Sequence, residues 1–84
     1  MNVHPVMAPQ LKCLEVAHSA AQRTTKFWAD LLELNYQQYA GAEGFPEDQA
    51  GILVEREIVY RELKKSQDNE DKLLSEIRFI RQNY

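Results

Sequence analysis

The amino-acid sequence predicts an all-α protein: one antiparallel hairpin of two long helices, dimerising into a four-helix bundle. Three observations lead there. Helix breakers gather at two places, the apolar residues between them recur at alternating steps of three and four, and the two periodic stretches lose their large apolar residues at matching levels when folded back on each other.

The breakers come first. Among 84 residues, Pro5 and Pro9 lie near the start, and Gly41, Gly44 and Pro46 lie close together near the middle. Only Gly51 lies elsewhere, so two long stretches are free of punctuation. Residues 1–9 read as an extended lead-in, with Pro9 suited to a first helical turn because its missing N–H is not needed there. From residue 10 to residue 40 the spacing is helical. Leu11, Leu14, His18, Ala21, Thr25, Trp28, Leu32, Asn35 and Tyr39 form one row. Beside it runs a second row of Cys13, Ala17, Ala20, Thr24, Phe27, Leu31 and Leu34. Two adjacent rows make an apolar face broader than a coiled-coil seam. Gly41 offers a left-handed cap for this helix, and 41–46 forms the loop.

The second helix is expected over 47–83. Pro46 opens it, and Glu47 and Asp48 suit its positive N-terminal end. Its row is Ile52, Val59, Leu63, Leu73, Ile77, Ile80 and Tyr84, completed by Arg56, Ser66 and Glu70. Charge pairs at i,i+4 (Glu57–Arg61, Lys64–Asp68, Asp68–Lys72 and Lys72–Glu76) add a few tenths of a kcal/mol each. Asp68 and Asn69 are possible N-caps, so a kink near 66–70 is the alternative to one continuous helix.

A turn near residue 43 makes facing residues sum to about 86–87 in number. Leu14 then meets Leu73, Leu11 meets Ile77, Trp28 meets Val59, and Val6 and Met7 approach Ile80. The polar run from Lys64 to Asp71 falls opposite Glu15 to Arg23, where the first helix also lacks large apolar residues. Such agreement between separate segments is what a real pairing produces. One partner helix cannot cover everything apolar that remains. Trp28, Leu31, Leu32, Tyr36, Tyr39, Val59, Tyr60 and Phe79 are therefore the expected interface residues, and a homodimer is the economical way to cover them.

Composition narrows the function. Residues 1–44 carry three Lys/Arg against four Asp/Glu and residues 45–84 seven against nine, a net charge of −3. Neither half has the basic excess of a nucleic-acid binder, and Lys64–Lys65 and Arg78–Arg81 are interleaved with acids, so a nucleic-acid-binding hairpin ranks third. No apolar run is long enough to span a bilayer and no signal peptide is evident. The single Cys13 forms no internal disulfide and is expected to pack as a small apolar group; together these point to a cytoplasmic setting.

Chemistry is sparse. Glu15 and His18 form a Glu-x-x-His pair on one helix face, and the fold-back brings Glu70 and Asp71 to their level. Helical bundles that hold two metal ions combine such a pair with carboxylates from a facing helix. A dimeric carboxylate/histidine metal site, for storage or oxidation, is accordingly the runner-up function. An ordinary hydrogen bond or ion pair of His18 in a polar gap is the simpler reading. His4 has no ligand-spaced partner, Cys13 has no activating neighbour, and no Gly-x-Ser-x-Gly turn or phosphate loop occurs. No catalytic residues and no cofactor are expected. The leading function is a non-catalytic interaction module (adaptor, chaperone-like protein or inhibitor) acting through apolar helix faces.

Overall fold

Local sequence sets both helix starts. In the computed structural model, which describes residues 5–84, α1 runs Ala8–Gly41 and α2 runs Pro46–Asn83. Each begins with a proline in its first two positions, where the absent N–H is no loss. Helix α1 starts two residues before the expected residue 10, so Ala8 and Pro9 belong to its first turn rather than to an extended lead-in. Pro5 to Met7 form a turn, and residues 1–4 of the lead-in, His4 among them, lie outside the described residues. Helix α2 is uninterrupted through 66–70. A helical residue there keeps its backbone bond, and Asp68 and Asn69 remain exposed on its surface.

The loop corrects one expectation. Gly41 is the last residue of α1 rather than a left-handed cap. The chain leaves the helix through Ala42 at φ −94°, whose N–H reaches back to the carbonyls of Gln38 (3.0 Å) and Tyr39 (3.2 Å). The left-handed residue is Gly44, at φ +90°. Its lack of a Cβ permits that angle, and the reversal lets the Phe45 N–H bond the Ala42 carbonyl at 2.9 Å. Glu47 and Asp48 then sit in the first turn of α2 and Arg81 in its last, each on the favourable end of the helix dipole.

The two helices lie side by side in a rod of 62 × 15 × 14 Å. Their inner seam buries Leu11, Ala21, Val59, Ile77 and Ile80, with Ala42 under the loop, and among the described residues no large side chain is fully buried. The tightest apolar cluster is at the open end, where Leu11, Ile77 and Ile80 pack with Met7 and Leu14. Leu11 and Ile77 thus meet as expected.

Elsewhere, side-chain partners sum to more than 87. Thr25–Ser66 and Asn35–Arg56 sum to 91, and Glu15–Arg81 and Tyr36–Tyr60 to 96. The cause is the lean of every Cα–Cβ bond toward its own helix N-terminus. In an antiparallel pair the two tips lean in opposite directions along the rod. They therefore meet beyond the residues whose backbones are level, by about one turn for the pairs that sum to 91 and further where the long side chains of Glu15, Arg81, Tyr36 and Tyr60 reach.

The expected i,i+4 ion pairs on α2 are not closed. Among the described residues the ion pairs are Lys26–Asp30 (2.8 Å), Lys65–Glu62 (3.5 Å) and Glu15–Arg81 (3.0 Å). Exposed charged side chains gain little by holding one geometry, so proximity on a helix does not ensure contact. Among the described residues, no helix is long and apolar enough to cross a membrane.

Candidate functional site

Among the polar contacts that cross between the helices, those at Asn35, Thr25 and Glu15 lie ten residues apart along α1. At the loop-proximal level, Asn35 is 3% exposed. Its Nδ2 donates to the Ile52 carbonyl at 2.9 Å, and its Oδ1 accepts from Arg56 Nε at 2.8 Å. The Arg56 guanidinium lies 4.0 Å from the Tyr36 ring centre and 5.1 Å from that of Tyr39. Stacking on two aromatic faces is a favourable place for a cation drawn partly out of water. Its Nη2 is buried and has no hydrogen-bond partner.

At the middle level, Ser66 and Thr25 hydroxyls are 2.6 Å apart, and Thr25 also bonds a Glu70 carboxylate oxygen and the Ala21 carbonyl (3.0 Å). Thr25 has one hydroxyl proton for its two acceptors. Ser66 must therefore be the donor between the two hydroxyls. At the open end, Arg81 donates to Glu15 at 3.0 Å across the exposed flank.

This arrangement disperses the residues considered for a metal site. Glu15 is engaged by Arg81, and Glu70 by Thr25, two turns along α1 from His18. His18 is half-buried on the seam, while Asp71 is exposed beside Tyr60, Lys64 and Asp68 on another flank. Among the described residues, no three His, Cys, Asp or Glu side chains are placed to hold a metal ion. The sequence reading missed Thr25 and Asn35 as polar partners, although both were placed on the inner row. The signal was there: each is a hydrogen-bonding residue at a position otherwise reserved for apolar ones.

The expected interface residues divide into two groups. Val59 is 8% exposed and is spent inside the hairpin. Trp28, Leu31, Leu32 and Tyr39 are half-buried, lying at the edges of the seam. Tyr36, Tyr60 and Phe79 are 45%, 45% and 58% exposed. The first two share a hydrogen bond between their hydroxyls across one flank, and that bond raises the Tyr60 pKa above its ordinary value by favouring the protonated donor.

The second row of α1 stays outside. Cys13, expected to be buried, is exposed, because its position points away from α2. Phe27 and Leu34 are 56% and 46% exposed, and Phe27 is held edge-on against Trp28 with ring centres 5.2 Å apart. Leu31 and Leu34 border an open groove with Ile58, Val59 and the stem of Glu55. Phe45, Leu53 and Val54 add further uncovered apolar surface around the loop. Comparison with known proteins finds no matching family model, curated protein or solved structure.

Proposed function

We propose that the chain is a non-catalytic helical interaction module, of the adaptor, chaperone-like or inhibitor kind, that works through its apolar helix faces. Its first partner is a second copy of itself, completing a four-helix assembly. The observation that carries this reading is the imbalance between core and surface. Among the described residues only six apolar ones are buried, two of them alanines and one of these under the loop, and the seam is interrupted by polar contacts at Thr25 and Asn35. Phe27, Leu34, Ile58, Phe79 and Val54 meanwhile remain about half or more open to water.

The energetics point the same way. Burial yields roughly 25 cal/mol per Å² of apolar surface, while ordering a residue costs on the order of 1–2 kcal/mol. A two-helix rod with so thin a core has little margin, and covering a second face supplies what the first lacks. Sedimentation equilibrium from about one to one hundred micromolar tests the reading. The expected result is reversible association to a dimer, accompanied by a melting temperature that rises with protein concentration. A folded monomer throughout, with a melting temperature independent of concentration, would sink it.

A further inference from the structure

Resting on that reading, we infer that two copies join through the outer row of α1, antiparallel, about a two-fold axis passing near residue 22. The row is Gln10, Cys13, Ala17, Ala20, Thr24, Phe27, Leu31 and Leu34, and no charged residue occurs in it. On α2 the corresponding flank is apolar only near its two ends, at Ile58 and Phe79, and carries Glu55, Glu62, Lys65, Lys72 and Glu76 along the rest of its length. Only α1 therefore presents a continuous uncharged stripe, and six of its eight residues are exposed. Thr24 belongs to it despite its hydroxyl, which is returned to the Ala20 carbonyl at 3.1 Å and leaves the methyl group outward.

The order of residue sizes selects the partner and its direction. The N-terminal half of the stripe is small or slender, and the C-terminal half ends in Phe27, Leu31 and Leu34. A two-fold axis at residue 22 maps the spacing onto itself and pairs Gln10 with Leu34, Cys13 with Leu31, Ala17 with Phe27 and Ala20 with Thr24. Leu31 and Phe27 then lie over Cys13 and Ala17 as knobs fill holes, and Leu34 lies along the flexible Gln10. A parallel pairing would set Phe27 on Phe27 and leave Ala17 facing Ala17 across a gap. An isologous contact needs one surface that complements itself, and this stripe does so only head to tail.

The same axis exchanges the two ends of the rod. The groove at the open end, between Met7, Leu14, Phe79, Ile80 and Tyr84, comes to face the partner's Leu34.

The single native cysteine makes the geometry testable. In the antiparallel dimer the two Cys13 thiols lie apart by the rise of roughly 18 residues, about 27 Å. The intact chain should sediment as a dimer yet give no covalent dimer with a short bismaleimide. Leu31→Cys, which retains Cys13, should give a covalent dimer in high yield. As a second probe that leaves the large residues in place, Ala20→Cys in a Cys13→Ser background should also cross-link, because residue 20 lies beside the axis. Phe27→Glu with Leu34→Glu should weaken association at least a hundredfold while circular dichroism stays helical. Leu53→Glu, on the other flank, should leave association unchanged. A covalent dimer of the unaltered chain through Cys13, or a dimer that neither engineered cysteine cross-links, would overturn this arrangement while leaving the interaction reading intact. A monomer at every concentration would overturn both.

Discussion

Replacing Asn35 by alanine should destabilise the chain by about 2–4 kcal/mol. Two hydrogen bonds are lost. The bond to the Ile52 carbonyl is of ordinary neutral type, worth about 1 kcal/mol, and the bond from the Arg56 guanidinium is charge-assisted, worth about 1.5–3 kcal/mol. The larger part of the cost falls on Arg56. Its Nη2 already lacks a partner, and without Asn35 its Nε joins it, leaving the cation only the faces of Tyr36 and Tyr39. A chain of this length commands roughly 5–10 kcal/mol in total, so the loss is severe. Removing both partners should cost much less than the sum of the two single changes. Asn35→Leu with Arg56→Met leaves no orphaned charge, and a packed apolar pair often equals a buried polar one. Urea unfolding of the wild type, both single variants and the double variant at one fixed protein concentration gives the coupling energy, expected at about 1–2 kcal/mol. If Asn35→Ala costs under about 0.5 kcal/mol, or the cycle is additive, the reasoning about this layer fails.

Other outcomes follow from the same contacts. Ile77→Ala, at 3% exposure in the open-end cluster, should cost on the order of 2–5 kcal/mol, whereas Val54→Ala, at 64% exposure, should stay within about 0.5 kcal/mol by the same measurement. His18→Leu should be neutral or stabilising, and Zn(II), Mn(II) or Fe(II) should leave the melting temperature of the native chain unchanged; a metal-dependent rise that vanishes with His18→Leu would revive the metal reading. Alkaline pH should weaken the hairpin. The Tyr36 hydrogen bond raises the Tyr60 pKa above 10.0, so its contribution is fully present below the ordinary tyrosine range and is lost as pH rises through the raised value. Tyr36→Phe should flatten that loss in melts taken on either side of the transition, with phenolate absorbance confirming the earlier titration of Tyr60.

The helices were legible because their signals are local. Prolines at both starts, a glycine pair between the stretches and an unbroken three-four alternation leave a helical hairpin as the natural solution. Register was legible at the backbone, where Leu11 meets Ile77, but counting from the loop ignores the lean of side chains toward each N-terminus and their reach. That offset separates Glu15, His18, Glu70 and Asp71: it delivers Glu70 to Thr25 and Glu15 to Arg81. Cys13 was misplaced for a related reason. Composition marks it as apolar, but only the angular position of the seam decides that its row faces outward.

The two rows of α1 divide the labour of specifying this structure. The inner row is chemically mixed, with Asn35 and Thr25 among its apolar members, and each of these two is matched to particular groups on α2, Asn35 to the Ile52 carbonyl and Arg56, Thr25 to Ser66 and Glu70. Sliding the helices by a turn would strand Asn35 and Arg56 together and part Thr25 from Ser66, so these layers fix the register at some expense of stability. The outer row has the opposite character. It is uncharged, graded from small to large along the helix, and carries no hydrogen bond to another element that would restrict its partner. Specificity inside the chain thus rests on polar pairing, whereas the proposed contact between copies would rest on shape and apolar area.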